Sequence, residues 1–513
     1  MDLTSAPLNL FQALSTESML FTLCVALCIL LTTLVASYTS KPRIPLGKRL
    51  PPGPRGLPII GHLPHANEVF DHNKCLEHSK THGPVIRFKM GAKDVVILND
   101  FESIKGVLSR KELLNRTENL VLKSNKVTGI TGLNGNAWLE NRRFCLHVLR
   151  DFGFGKKSME DHIAEEVEYL AEKIRSFRGH PVDIKEYLVP SMSNNITALV
   201  FGRRYQFEDR RRKFLDERLA LLLNAIGPRS LLTFIPCWAT GLATSLPFTT
   251  FGLVQKVLGE FTKFICDHVE DHERTLEENS DRDFIDAYIK KIRENKDKPN
   301  SSFQMSTLIG NVGNFFGAGS NTVMMTVHWH ILNCADKVDS VQRRIQEEID
   351  RVVGRERQPR WEDHNKMPFT MAVIREMYRW RTIAPLSIPR EAAADVSYMD
   401  YFIPKGTIVM PNLYAVHMDP RHWKNPKEFN PGRFLTQDGS ALLHKPEELI
   451  PFSIGRRMCP GETLATVEVF LYLTMMLQKF AVLPLDGAKV DLESAAIAFN
   501  MAAAQKLRFI SRE

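Results

Sequence analysis

Cys459 lies in a run of conformationally special residues that could make its sulfur a metal ligand. Gly455 and Gly461 flank it, and glycine adopts backbone angles that let a loop fold closely against a flat cofactor. Pro460 follows the cysteine and precedes the apolar run 463–477, and proline favours the first turn of a helix. The spacing therefore predicts a thiol at the positive end of a helix dipole, which favours the thiolate form that binds metal.

A single cysteine near a helix start is more often a small buried hydrophobe, so Cys459 alone would not indicate a metal site. Its neighbours Phe452, Gly455, Arg457 and Gly461 all fall within ten residues, and Arg457 adds a cation for an anionic cofactor edge. This stretch resembles the haem-binding loop of the cytochrome P450 family. The resemblance implies that Cys459 is the axial thiolate ligand of the iron of haem b.

Other cations are candidates for holding the same cofactor. Trp138 and Arg142 are four positions apart in a predicted helix, 137–149, so they share a face. A packed tryptophan beside a surface arginine is the alternative, but the pair is similar to the WxxxR motif of the family, whose two residues contact a haem propionate. The resemblance implies the same contact for Arg390 in an Ile-Pro-Arg segment, and Arg116 is a further candidate.

The run 306–333 is long and largely apolar, which predicts a buried helix, yet it holds four glycines. Each glycine inside a helix costs about 1 kcal/mol relative to alanine. Close approach of a flat ring or a local break in the helix would explain them, and simple helix crossing is the alternative. The glycines are Gly310, Gly313, Gly317 and Gly319.

Within that run, an Ala-Gly-Ser-Asn-Thr segment ending at Thr322 resembles the oxygen-binding motif of the family. The resemblance implies that the Thr322 hydroxyl orients water and helps to deliver protons to dioxygen. Asn321 departs from the pattern, because an acid usually stands there and an amide cannot exchange a proton as a carboxyl does. Water chains or Ser320 are other proton sources, unless the chemistry needs fewer protons, as in family members that isomerise peroxides.

A predicted helix over 368–382 carries Glu376 and Arg379 three positions apart. On a surface such a pair is worth only ~0.2 to 1 kcal/mol. It is similar to the ExxR motif of the family, and Arg433 in a Pro-Gly-Arg-Phe segment matches the arginine that completes a buried network there. The resemblance therefore implies a structural cluster whose disruption releases haem.

The fold class expected is mainly α with a smaller β region (α+β), as one cytochrome P450-like body. The runs 85–89 and 95–98 predict a hairpin, and segments from position 102 onward carry mostly helical spacing. The later β-like runs 398–403 and 506–511 would then pair with early strands, which makes the body interwoven.

The amino-terminal run 19–38 contains no charged residue, and twenty helical residues at ~1.5 Å each can span a bilayer. A cleaved signal peptide is the alternative, but the apolar run is long for one, and acidic residues precede it. Cations just beyond it favour a cytosolic body. We therefore expect a membrane anchor at 1–40, a proline-rich hinge at 41–62 and a haem-thiolate catalytic domain at 63–513.

The composition fits this organisation. The 513 residues include 67 Lys and Arg against 59 Asp and Glu, a formal charge of +8 that suits a membrane surface or an acidic partner. Basic runs interleaved with aromatic residues are absent, so nucleic acid is not expected. The eight cysteines form no CxxC pair, which is typical of a reducing compartment.

The resemblance implies a monooxygenase of the endoplasmic reticulum membrane with its catalytic domain facing the cytosol. It would insert one oxygen atom from O2 into an apolar small molecule, a lipid, steroid or xenobiotic, with electrons from an NADPH-dependent reductase. Cytochrome b5 is a second candidate partner. The alternatives are a haem-thiolate isomerase or dehydratase that acts on peroxides without a reductase, and a haem-binding protein without catalysis.

Substrate identity does not follow from the sequence, but the resemblance nominates segments that line the pocket. They are 121–133, Phe315 and Phe316, 383–386, and Phe499. The apolar run 231–248 is either a membrane-facing entrance or core packing.

Overall fold

The computed structural model describes residues 28, 31–32, 43–117, 127–152, 157–225, 250–495 and 499–512. Most of the anchor predicted at 19–38 lies outside these residues, as does the proposed entrance at 231–248. Among the described residues, no helix combines the length and apolar character needed to cross a bilayer.

Helices account for most of the described chain, which confirms the mainly α part of the predicted fold class. They are α1 (Ala66–Val69), α2 (His72–His82), α3 (Phe101–Leu108), α4 (Gly135–Phe152), α5 (Lys157–Arg175), α6 (Lys185–Phe201), α7 (Arg210–Ala225), α8 (Thr250–Arg274), α9 (Phe284–Glu294), α10 (Met305–Asp336), α11 (Arg343–Val352), α12 (Pro368–Trp380), α13 (Leu413–His417) and α14 (Glu462–Lys479).

The smaller β region consists of short strands in separate sheets. They are β1 (Val85–Met90), β2 (Lys93–Leu98), β3 (Arg390–Glu391), β4 (Val396–Tyr398), β5 (Tyr401–Ile403), β6 (Ile408–Pro411), β7 (Phe480–Leu483) and β8 (Arg508–Ser511). The strand order β1-β2-β6-β3 forms one sheet, and β4-β5 and β7-β8 form two others. The predicted hairpin at β1 and β2 is confirmed, with every residue from Val85 to Met90 paired.

The pairing predicted for the late strands is confirmed only in part: isolated bridges join Tyr401 to Arg49 and Leu507 to Val182, but the strands themselves have late partners. Strand β4 pairs with β5, and β8 pairs with the neighbouring late strand β7. The longest pairing between early and late parts of the chain is that of β6 in parallel with β2, which joins Val95 to Ile408. A hairpin or a nearby partner closes a shorter loop and therefore costs less chain entropy, which explains why the two other late segments pair locally.

Helix α10 runs through the centre of the core. Its apolar side chains are buried against α6, α8 and α14, and Phe316 and Trp329 are fully buried. The helix is uninterrupted over all its 32 residues, so the local break that would have explained its glycines is not there. The continuous helix α10 therefore forms one wall on which a site can be built.

The predicted ion network is confirmed and lies at the carboxyl-terminal part of α12. Arg379 donates from Nε and Nη2 to the two oxygens of Glu376, both at 2.7 Å, and both side chains are fully buried. Arg433 Nε lies 3.1 Å from the same carboxylate, and the backbone N–H of Asn430 donates to it at 2.8 Å. The cluster thereby joins α12 to the segment that precedes the cysteine loop.

Candidate functional site

One cavity brings most of the predicted site residues together. It is bounded by α10, by the segment 383–389 after α12, and by the cysteine loop. Its lining is mostly apolar, and seven of the predicted site residues face it: Arg116, Arg142, Asn321, Thr322, Phe452, Arg457 and Cys459. Trp138, Arg390 and Gly461 are not part of the lining and lie behind it.

The cysteine loop leads into a helix as predicted, although Pro460 lies just before the N-cap and not in the first turn. Helix α14 begins at Glu462 with Gly461 as its N-cap, and the Gly461 N–H donates to Cys459 Sγ at 3.4 Å. The Cys459 N–H in turn donates to the Phe452 carbonyl at 2.9 Å, which closes the loop. Gly455 has φ +76°, and a Cβ there would lie 3.1 Å from the Leu108 carbonyl oxygen, so the loop requires glycine.

The local stabilisation of the thiolate predicted from this position is present, but desolvation of the sulfur outweighs it. Burial raises the pKa of the Cys459 thiol, and the opposing effects of the Gly461 N–H and of Arg142 do not overcome it. The thiol is desolvated by the protein atoms packed around it, yet the residue keeps accessible surface on the cavity side. A metal cation at that point would supply the charge that deprotonates a ligating thiol.

Four arginines surround the cavity, and backbone carbonyls hold each in place. Arg116 Nη1 donates to Ile388 and Pro389 at 2.6 and 2.8 Å, and Arg142 Nη2 donates to Met458 at 2.6 Å. Arg390 donates to Leu108 and Ile454 at 3.2 and 3.0 Å, and Arg457 to Leu114, Ile130 and Leu133 at 2.8, 3.0 and 2.5 Å.

No carboxylate of the described residues pairs with any of these four guanidinium groups, although Arg116, Arg390 and Arg457 are buried. Burial and mutual repulsion lower the pKa of Arg457 to about 9, and burial with the charge of Arg142 lowers that of Arg390 to about 10. Arg116 is shifted well below its usual pKa for the same reasons. Concentrated positive charge of this kind requires an anion, because buried charges are normally paired.

Two buried donors at the same place also lack an acceptor. Trp138 Nε1 and Arg116 Nε have no hydrogen-bond partner in the described structure. The Trp138 ring lies beneath the guanidinium of Arg457, 3.9 Å from its Cζ. A flat cofactor that carries carboxylates fits both the unpaired cations and the unsatisfied donors.

A family model described as Cytochrome P450 matches residues 51–504. The chain belongs to the cytochrome P450 family. Cytochrome P450 2F3 of Capra hircus is 36% identical over 491 residues, which cover 94% of this chain and 95% of that protein. Cytochrome P450 2A4 of Mus musculus is 36% identical over 464 residues (89% and 92%), and cytochrome P450 2A6 of Homo sapiens is 35% identical over 477 residues (89% and 92%).

Membership makes this P450 a monooxygenase, an oxidoreductase that acts on paired donors with incorporation of molecular oxygen, and its cofactor a haem-thiolate. The unpaired arginines and the cysteine loop are suited to that cofactor. Cys459 Sγ is the sulfur that the cavity presents, and the four guanidinium groups are the cations available for its carboxylates.

In this P450 the residues that the sequence resemblance nominates for the oxygen side, 320–322, lie on one turn of α10. The Thr322 hydroxyl donates to the Ala318 carbonyl at 2.8 Å, which leaves its lone pairs free to accept from water in the cavity. Asn321 lines the same cavity. Ser320 is buried, donates to the Phe316 carbonyl at 2.9 Å and does not line the cavity, so it is not placed to replace a missing acid.

The glycines of α10 divide into two pairs. A Cβ on Gly310 would lie 2.3 Å from the Gly129 nitrogen, and one on Gly319 would lie 2.5 Å from Ile196 Cδ1. Close packing against neighbouring protein therefore explains these two glycines. Gly313 and Gly317 face the cavity and have no neighbour closer than 3.4 Å, so they keep open space beside α10.

Sequence reasoning missed two asparagines on α10. Asn311 and Asn314 each accept a backbone N–H of the facing loop through Oδ1, from Ile130 at 2.8 Å and Thr131 at 2.9 Å. The bond from Thr131 fixes the orientation of the Asn314 amide, whose NH2 group makes no hydrogen bond within the described structure and lines the cavity. The only sequence signal for these contacts was the spacing of Asn311 and Asn314, which are three positions apart and therefore lie on one face of the helix.

The nominated pocket segments are partly represented in the lining. Phe315 and Phe499 line the cavity, as do three of the four residues in 383–386. Of the segment 121–133, the described part contributes Val127, Ile130 and Thr131, and positions 121–126 lie outside the described residues. Phe316 does not line the cavity, because its ring packs beside Phe261, 5.7 Å between centroids.

Proposed function

We propose that the protein is a membrane-anchored haem-thiolate monooxygenase that inserts one oxygen atom from O2 into an apolar small molecule. Its cofactor would be haem b, with the Cys459 thiolate as the protein ligand of the iron. The observation that carries this assignment is a set of four arginines without a carboxylate partner among the described residues, three of them lining the cavity and Arg390 behind it, beside a cysteine sulfur that opens onto the same cavity. Haem bound there supplies an electron-rich iron for dioxygen activation.

The residues of the chain hold and orient that group. Arg116, Arg142, Arg390 and Arg457 neutralise its propionates, and Trp138 donates from Nε1. Because each guanidinium is already fixed by backbone carbonyls, little side-chain entropy is lost when the carboxylates bind. Phe452 and Gly461 shape the loop around the sulfur.

On the oxygen side, Thr322 holds a water molecule through its free lone pairs and relays protons from it. Asn321 orients this water without supplying a proton of its own. The lining offers no carboxylate and no imidazole among the described residues, so protons reach the site through water chains.

The lining supports an apolar substrate such as a lipid, steroid or xenobiotic that carries one hydrogen-bond acceptor. The fixed NH2 group of Asn314 is the donor that would recognise this acceptor. Asn314→Leu is expected to weaken binding of a ketone about tenfold while leaving its hydrocarbon analogue unchanged. Spectral titration of both compounds checks this; equal losses would contradict the assignment.

Electrons come from an NADPH-dependent reductase, with cytochrome b5 as a second donor. Arg143 and Arg150 are exposed on α4, the helix that also carries Arg142, and offer positive charge to an acidic partner surface. The uncharged run 19–38 anchors the protein in the endoplasmic reticulum membrane, with the catalytic domain in the cytosol.

A second candidate activity is isomerisation or dehydration of a peroxide without a reductase. The absence of a carboxylate from the described cavity lining, with Asn321 in place of an acid, favours it because such chemistry needs no supply of protons. Turnover of hydroperoxides without NADPH and reductase would support this activity. Turnover of apolar substrates only with both would support monooxygenation.

The cofactor assignment is tested by adding carbon monoxide to the reduced protein and recording the Soret band. The wild type is expected to show the shift typical of thiolate ligation, and Cys459→Ala to lose it. Cys334→Ala is the matched control, because Cys334 is buried but does not line the cavity. A thiolate-type band in Cys459→Ala would refute the assignment.

A further inference from the structure

The imidazole of His417, the last residue of α13, connects two parts of the protein that flank the cysteine loop. The ring is fully buried. Nδ1 lies 2.6 Å from the Thr382 hydroxyl, just beyond α12, and Nε2 accepts the backbone N–H of Ile450 at 3.0 Å. Ile450 directly precedes the loop that contains Cys459.

These contacts select one protonation state. The Ile450 N–H can donate only to a bare nitrogen, so Nε2 carries a lone pair and the ring proton is on Nδ1. Nδ1–H donates to the Thr382 hydroxyl, which donates to the Arg379 carbonyl at 3.1 Å. Burial and the charges of Arg379 and Lys445 lower the pKa of His417 to about 3, so the neutral ring persists at physiological pH.

From Ile450 the hydrogen bonds continue to the cysteine. The Ile450 carbonyl accepts the Ser453 N–H at 2.9 Å and closes a turn in which Ser453 has φ +62°. A carbonyl inside this turn, that of Phe452, accepts the Cys459 N–H at 2.9 Å. The imidazole thus holds the first residue of the turn that fixes the backbone of Cys459.

The backbone of His417 is held as well. Its carbonyl accepts from Arg379 Nη1 at 2.8 Å, so the ion cluster at Glu376 is linked to the cysteine loop through this residue. His330 provides the contrast, since it is also fully buried and neutral, yet neither ring nitrogen has a partner in the described structure. Burial of a histidine alone does not create such a link.

We infer that His417 is a positioning residue that fixes the Cys459 loop for haem ligation through its Nε2 bond to Ile450. The inference rests on the proposed function, because it assigns a role toward the haem ligand. The imidazole touches neither the cavity nor Cys459, so its effect is carried by the backbone of residues 450–453.

Two amide variants of His417 distinguish the effect of the hydrogen bond at Nε2 from the effect of filling the space that the ring occupies. Glutamine can place its side-chain oxygen where Nε2 lies, whereas the shorter asparagine reaches only the Nδ1 position. His417→Gln, His417→Asn and His417→Leu are compared with the wild type and with His330→Leu. The measurements are the fraction of thiolate-type carbonyl complex, the rate of haem transfer to an acceptor protein, and the melting temperature.

We expect His417→Asn and His417→Leu to lose haem about tenfold faster and to give less thiolate-type complex, because a buried N–H is left without an acceptor. His417→Gln and His330→Leu should stay close to the wild type. Equal haem loss from His417→Gln and His417→Asn would overturn the inference. If His417→Leu does not fold, the comparison of these two amide variants is still sufficient to test it. A wild type without the thiolate band would instead defeat the proposed function.

Discussion

Replacing Glu376 by glutamine tests how strongly the buried ion cluster supports the haem site. The carboxylate accepts two bonds from Arg379, both at 2.7 Å, one from Arg433, and one from the Asn430 backbone at 2.8 Å. Glutamine offers one acceptor oxygen and turns an NH2 group toward the guanidinium groups. Arg379 would then be a fully buried cation without an anionic partner.

Removal of one member of a buried charged pair costs ~3 to 5 kcal/mol. The Glu376 carboxylate pairs with two arginines, of which Arg379 is fully buried and Arg433 is nearly buried. We therefore expect the loss in free energy of unfolding to lie in the upper part of that range. Because Arg379 also holds the His417 carbonyl, the cysteine loop should loosen with the cluster. We therefore expect loss of haem before the helical body unfolds.

Urea titration of Glu376→Gln, followed by the Soret band and by far-ultraviolet circular dichroism, checks both expectations. The Soret transition should move to lower urea concentration by more than the helical transition. Glu77→Gln is the control, because it breaks an exposed Glu–Lys pair at the same i, i+3 spacing and should leave both transitions unchanged. Coincident, unshifted transitions in Glu376→Gln would refute the reasoning.

Three further outcomes are expected. Asn321→Asp should raise the product formed per NADPH consumed, because a carboxyl can exchange protons where the amide cannot; an unchanged ratio would show that protons do not pass this position. Gly310→Ala should lower the melting temperature, since its Cβ would lie 2.3 Å from backbone, whereas Gly317→Ala, with 3.7 Å of space, should not. Burial alone would lower the pKa of His272, but the hydrogen bond to Asp283 raises it above the unfolded value of about 6.5. The His272–Asp283 bond therefore stabilises the fold fully below about pH 6.5, and this stabilisation is lost as the pH rises through the pKa of the folded state. Urea midpoints of His272→Gln should lack this pH dependence.

Features that depend on closely spaced residues followed from the sequence. The start of α14 after Pro460, the β1–β2 hairpin and the Glu376–Arg379 pair are each encoded within a few positions, where turn chemistry and helical spacing act directly. These local patterns also led to the family, which the match over residues 51–504 shows.

Features that depend on distant contacts did not follow. The main partners of the late strands were missed because apolar alternation indicates a strand without identifying its neighbour. The orientation of the Asn314 amide could not be predicted, because it depends on a hydrogen bond from Thr131 in a loop that is distant along the chain. The pKa of the Cys459 thiol depends on burial by the whole fold, and a local dipole could not reveal its direction.

The wide separation of the site residues along the chain also constrains how the protein is made. Arg457 donates to the Leu114 carbonyl, 343 positions earlier, and β2 finds its parallel partner only in β6. At about 5–20 residues per second, a ribosome needs tens of seconds to pass from the first of these segments to the last. During that interval the early cations and apolar walls have no cysteine loop to close on. We therefore expect haem capture to follow synthesis of the cysteine loop, and the unfinished cavity to be the part of the nascent chain most exposed to aggregation.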